Sequence, residues 1–231
     1  MHARIMSAST KTSSTVNKMA RLLTTPSKIA RALDWQKVSG SVLSVHIGDS
    51  SIDLAVTSHP STGHPVQALS SIPMELETRK NRKVLKKSVL SELSNIVEDW
   101  NVCGLVVSWP VQKEGWCGKP CGNVLHTLDQ IAQDTNIVNM KRQVALWDGH
   151  HFLNEEDEWG RTAIYSTTSD QEVHVASKEQ YREEGMLAAD IAADYLRHHF
   201  PDLAYDIEVR PASAIETEGR MHSDNDMQSA M

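Results

Sequence analysis

From Val42 to Val56 the chain reads Val-Leu-Ser-Val-His-Ile-Gly-Asp-Ser-Ser-Ile-Asp-Leu-Ala-Val. Two apolar stretches flank Gly48-Asp49-Ser50-Ser51, which predicts strands at about Val42–His46 and Ile52–Thr57 joined by a tight turn. Gly48 can adopt the positive φ that such turns often need, and Asp49 and Ser50 favour turns by hydrogen-bonding nearby backbone. An early antiparallel hairpin commits the chain to a sheet, and the elements that follow must cover that sheet's two faces. His46 closes the first strand. A polar side chain at a strand end before a tight hairpin is a common way to present a catalytic carboxylate, and here the position holds an imidazole.

The rest of the chain alternates between strand and helix signals. A third strand is expected near Val66–Ile72. Leu85, Val89, Leu93, Ile96, Val97 and Trp100 recur at helical intervals, predicting an amphipathic helix over Leu85–Trp100. Cys103–Val107 is a short apolar run suited to a buried parallel strand, ended by Trp109-Pro110. Asn123–Thr135 is a second helix, Val144–Trp147 a second buried strand, and Gln180–Phe200 a third helix stopped by Pro201. A last strand is placed near Tyr205–Val209. The hairpin followed by alternating helix and strand predicts an α/β domain with a mixed central sheet and helices on both faces.

Charge divides the chain unevenly. Residues 1–33 carry six Lys and Arg and no acid, leaving 17 basic residues against 30 acidic ones in the remainder. A basic, Ser/Thr-rich extension over residues 1–40, free of acids through residue 33, fits an organellar transit peptide, mitochondrial or plastid; the alternative is a basic tail on a cytoplasmic protein. The globular domain is assigned to residues 41–209, and residues 210–231, poor in large apolar side chains, are read as a disordered tail. No apolar run approaches the ~20 residues of a membrane-spanning helix. Cys117-x-x-x-Cys121 lacks the second Cys or His pair that a structural zinc site needs, so no metal is assigned there.

Three separated segments, in order, resemble one known family. Val42–Thr57 is similar to the Leu-Asp-x-Gly-x-x-Arg-Ile-Gly-Val-Ala-Val signature that opens the YqgF/RuvX family. Val106-Val-Ser-Trp-Pro-Val-Gln-Lys-Glu-Gly115 resembles its Val-Val-Gly-Leu-Pro-Leu-x-x-Asp-Gly, and Ala145-Leu-Trp-Asp-Gly-His-His151 its Val-x-Leu-Trp/Tyr-Asp-Glu-Arg. Gly185-Met-Leu-Ala-Ala189 is a weaker match to a late helix reading Asp-x-x-Ala-Ala. The resemblance covers roughly residues 41–200 and implies a ribonuclease H-like fold. It also implies a link to 5′-end maturation of ribosomal RNA or to Holliday-junction resolution, with RNA or ribosome-assembly factors as partners. Either activity would use metal-assisted phosphodiester hydrolysis, for which carboxylates must converge on Mg²⁺ or Mn²⁺.

The chain departs from that pattern where the chemistry would sit. The first-strand acid is His46, the Glu and Arg after Asp148 are Gly149 and His150, and the helix acid is Gly185. Only Asp148 and Glu114 survive. Asp190, five positions beyond Gly185, lies about 140° around the helix and does not replace it. The expectation is therefore a degenerate nuclease, without an intact catalytic set or a bound metal, that acts as a nucleic-acid-binding or partner-binding module. Two alternatives stay open: an active Mg²⁺- or Mn²⁺-dependent nuclease rearranged around Asp148, or a transition-metal site drawing on His46, Asp148 and His150 or His151. For nucleic acid, the candidate surface is Arg79, Lys80, Arg82, Lys83, Lys86 and Lys87, which lie within nine residues ahead of the first long helix.

Overall fold

The computed structural model describes residues 19–37, 39–110, 117–148, 186–204 and 207–213. In chain order these form β1 (Leu23–Thr24), α1 (Pro26–Ala30), α2 (Leu33–Lys37), β2 (Ser41–Ile47), β3 (Ser51–Ser58) and β4 (Val66–Pro73). A small hairpin follows, β5 (Leu76–Arg79) and β6 (Arg82–Leu85), and then α3 (Lys87–Asp99), β7 (Val102–Trp109), α4 (Lys119–Ile131), β8 (Gln143–Asp148), α5 (Met186–His199) and β9 (Val209–Arg210).

Seven strands make one mixed sheet in the order β1-β8-β7-β2-β3-β4-β9. The β2–β3 hairpin pairs antiparallel from Ser41↔Ser58 to Ile47↔Ile52, and β4 continues antiparallel on β3. On the other side β7 and β8 add in parallel, as their unbroken apolar runs require of strands covered on both faces. The hairpin turn closes through the Gly48 N–H, which donates to the Ser51 carbonyl at 2.9 Å. Contrary to expectation, Gly48 has no positive φ; Gly63 does. A small residue suits position 48 because a Cβ there would stand 3.2 Å from the Ser51 carbonyl oxygen.

Alternation along each strand feeds two cores. Leu43, Val45, Leu54, Leu105 and Val144 pack against Val89, Leu93 and Val97 of α3 and Val124, Leu128 and Ile131 of α4. Val42, Ala55, Ala68, Val106, Ala145 and Trp147 face the opposite way, onto α1, α2 and α5. The inner face of α5 is built largely from Ala188, Ala189, Ala192 and Ala193, whose short side chains let the helix settle close to the sheet. The expected α/β architecture, a mixed sheet with helices on both faces, is the one observed, and it is consistent with a ribonuclease H-like fold. Among the described residues no helix is long and apolar enough to cross a membrane.

Two expectations about organisation change. Residues 19–37 were grouped with an extension, yet β1 pairs in parallel with β8, Leu23↔Val144 and Thr24↔Ala145. Trp35 of α2 is only 1% exposed, against Tyr195, Phe200 and His59. The folded body thus begins ahead of residue 41. The helix expected from Leu85 starts at Lys87, because Leu85 belongs to β6. At the C-terminal end β9 pairs in parallel with β4 at Val66↔Val209; Tyr205, the 152–180 segment and the tail beyond residue 213 lie outside the described residues.

Candidate functional site

His46 is the penultimate residue of β2 and lies opposite Asp53 of β3. It is half-buried. Along β2, Leu43, Val45 and Ile47 belong to the α3/α4 core while Val42 belongs to the α5 core, so His46 projects on the α5 side of the sheet. Its cross-strand neighbour Asp53 accepts hydrogen bonds from the Ser71 hydroxyl at 2.7 Å and the Ser51 hydroxyl at 3.1 Å. That carboxylate is held in place by the hairpin and β4.

Asp148 ends β8 and is exposed, with Trp109 of β7 as its register partner. Val144 and Leu146 of β8 pack on the α3/α4 side, whereas Ala145 and Trp147 pack on the α5 side. Asp148 therefore shares the parity of Leu146 and projects from the face opposite His46. The two strands are also separated by β7, which puts them roughly 9.5 Å apart in the sheet. The fold brings these two positions to the same end of the sheet but not to a common point.

That arrangement tests the divalent ion implied by the resemblance. Mg²⁺ and Mn²⁺ need several convergent hard oxygen donors. His46 offers nitrogen, Asp148 faces away, and Gly149 and Gly185, both outside the described residues, have no side-chain ligand to give. Among the described residues no group of three or more His, Cys, Asp or Glu could hold a metal. The described residues do not fit the ion. His150, His151 and Glu114 lie outside the described residues. Cys117 is exposed while Cys121 is buried, its thiol near the Pro110 carbonyl at 3.1 Å. Burial, first of all, pushes the Cys121 thiol pKa up.

Asp194 of α5 has a structural use. Its carboxylate accepts a 2.8 Å hydrogen bond from the indole N–H of Trp147 and so ties α5 to β8. Around it lies an aromatic and histidine cluster that sequence reasoning missed. Tyr195 and His199 are 4.8 Å apart, Trp147 and His199 5.4 Å, and His59 and Phe200 5.0 Å, measured between ring centroids. Burial lowers the pKa of both His59 and His199, and for His199 the neighbouring His198 and Arg31 lower it further. The one available signal was the spacing of Tyr195, His199 and Phe200 on a predicted helix. The partners Trp35 and His59 come from distant parts of the chain.

The basic cluster divides between two elements: Lys86 caps α3 and Lys87 is its first residue, as a helix entry requires, whereas Arg79, Lys80, Arg82 and Lys83 lie in the β5–β6 hairpin. The two-residue turn of that hairpin is Lys80-Asn81, with φ of 48° and 61°. Such consecutive positive φ values are those of a type I′ turn, which asparagine tolerates well. The hairpin is fastened to α4, where the Gln130 side-chain oxygen accepts from the Leu85 N–H at 2.5 Å and His126 contacts the Lys83 carbonyl at 3.2 Å. Arg79 pairs with Glu77 at 2.7 Å and Lys86 with Glu75 at 3.1 Å, both at the surface. Lys80, Arg82 and Lys83 of the hairpin and Lys87 of α3 are exposed and make no ion pair with a described residue. No protein-family model matches this chain, and no curated protein is significantly similar to it.

Proposed function

We propose that the protein is a YqgF/RuvX-like, catalytically degenerate member of the ribonuclease H-like class that binds structured RNA in ribosome maturation, in a mitochondrion or plastid. The loss of catalysis rests on one observation above all. His46 replaces the acid that the resemblance calls for, and strand alternation turns Asp148 to the other face of the sheet. The RNA-binding part is supported by Lys80, Arg82 and Lys83 of the β5–β6 hairpin and Lys87 at the start of α3, which have no ion-pair partner among the described residues, on a chain of net charge −7. Because Met19, Leu22, Ile29 and Trp35 are core residues, a targeting peptide removed on import would end ahead of Met19.

Fluorescence anisotropy with a structured ribosomal RNA fragment tests this reading. Changing Lys80, Arg82, Lys83 and Lys87 together to Gln is expected to weaken binding and to flatten the salt dependence by several phosphate contacts. The same preparation, incubated with Mg²⁺ or Mn²⁺ on that RNA and on branched DNA, is expected to leave both intact. Metal-dependent cleavage abolished by Asp148→Ala would overturn the degenerate reading. Unchanged affinity and salt slope in the hairpin variant would overturn the RNA surface in favour of a protein-interaction module.

A further inference from the structure

A concave site lies at the end of the sheet away from His46 and Asp148. It opens between β1, α1 and the start of β8, with a volume of about 440 Å³. That falls within the roughly 300–1,000 Å³ typical of small-molecule sites. Lys28 and Arg31 reach it from α1 and the residue capping it, and Lys141 from the turn ahead of β8. None of the three forms an ion pair with a described residue. The hydroxyls of Thr24 and Ser27 and the partly buried Cys103 complete the polar and apolar lining, and no carboxylate lines it among the described residues.

Three cations lining one cleft with no carboxylate beside them among the described residues repel one another, and a chain with more acids than bases has ample means to neutralise them. Cations left so around a concavity favour a multiply charged anion. The cleft is larger than a bare oxyanion needs, and Ile29 and Ala32 provide apolar wall beside the charges. Close packing places its Ile29 wall: a Cβ on Gly104 of β7 would stand 3.0 Å from the Ile29 side chain, so glycine there lets α1 sit against the sheet. Gln143 opens β8 and Cys103 is the second residue of β7, whereas Asp148 closes β8 five residues after Gln143, roughly 16 Å away. The site is therefore distinct from the strand ends that carry His46 and Asp148.

We propose that this cleft binds a small organic phosphate monoester, with Lys28, Arg31 and Lys141 on the phosphate and the Ile29–Ala32 wall against the organic body. This binding does not depend on the RNA reading and uses none of its residues.

The test uses the full chain. Thermal midpoints and isothermal titration are measured with inorganic phosphate, ribose 5-phosphate and, as the uncharged control, ribose, all at constant ionic strength. Saturable binding of ribose 5-phosphate, tighter than that of inorganic phosphate and absent with ribose, is expected. Lys28→Gln with Lys141→Gln, both exposed positions that leave the core intact, should raise its Kd at least tenfold. The Lys80, Arg82, Lys83 and Lys87 to Gln variant should bind ribose 5-phosphate as tightly as the parent. No saturable response to either phosphate, or equal affinity in the Lys28/Lys141 double variant, overturns the proposal. Competition by RNA that grows with RNA length, with no saturation by ribose 5-phosphate, overturns it in favour of a diffuse polyelectrolyte surface.

Discussion

Replacing Trp35 with Ala examines whether the segment ahead of β2 is a working part of the fold. Trp35 is 1% exposed, stacked 6.3 Å from Tyr195 and set edge-on to Phe200 at 5.6 Å and His59 at 5.3 Å. A buried indole removes about 150–250 Å² from water, which at about 25 cal/mol per Å² sets an upper bound near 4–6 kcal/mol. Measured Trp-to-Ala truncations in cores cost about 3–5 kcal/mol. Against a total stability of about 5–15 kcal/mol, such a loss is severe. It has two ways to show itself. The five-residue α2 and two-residue β1 have little else to hold them, so residues 19–37 can release locally before the sheet melts. Urea unfolding followed by far-UV circular dichroism reads the global part, and limited trypsin digestion with mass spectrometry reads the local part through cuts at Lys28, Arg31 and Lys37. Met140→Ala, at a site 66% exposed, is the control and should shift stability by no more than about 0.5 kcal/mol. If Trp35→Ala matched Met140→Ala in midpoint and resisted trypsin like the parent, the segment would not be an integral layer of the fold.

Two further outcomes follow from local geometry. Gly104→Ala should push Ile29 and α1 away from β7, costing about 1–3 kcal/mol in urea titrations and weakening ribose 5-phosphate binding with Lys28 and Lys141 intact; an unchanged midpoint would show that Ile29 can yield. For pH, His59 and His199 have folded-state pKa values held below the usual 6.5 by burial. The unfolded chain takes up these protons first, so their contribution is complete above pH 6.5 and is lost as pH falls from there toward the folded values. Thermal midpoints should drop between pH 7 and pH 5, and His199→Gln should flatten that drop; an equally steep profile in the variant would exclude His199 as a source.

The regular elements with strong periodicity were legible from residues alone. The β2–β3 hairpin, α3, β7, α4, β8 and α5 each carry a pattern whose period is the geometry of the backbone itself. Short elements were not. β1 is two residues long, and its partner Val144-Ala145 lies about 120 positions away, so no local signal marks it. The β5–β6 hairpin was absorbed into the lead-in to α3 because Lys80-Asn81 is a weak turn signal beside the run of charge that surrounds it. That positions 46, 149 and 185 hold His, Gly and Gly rather than acids could be read directly from side-chain identity. That His46 and Asp148 face apart could not, since parity within a strand has meaning only once packing assigns each face to a layer.

Lys28 and Arg31 show the same division. As residues they were part of a basic, acid-free stretch, and composition assigned them to a targeting extension. Folded, they flank a cleft with Lys141, more than 100 positions away, on a helix that Gly104 admits against the sheet. The sequence by itself determined the alternating α/β plan and the identity of the polar residues at the strand ends, because periodicity and side-chain chemistry are local properties. The tertiary structure alone decided where the domain begins, which faces the polar residues share and which cations meet, because those depend on contacts between segments that carry no mark of one another.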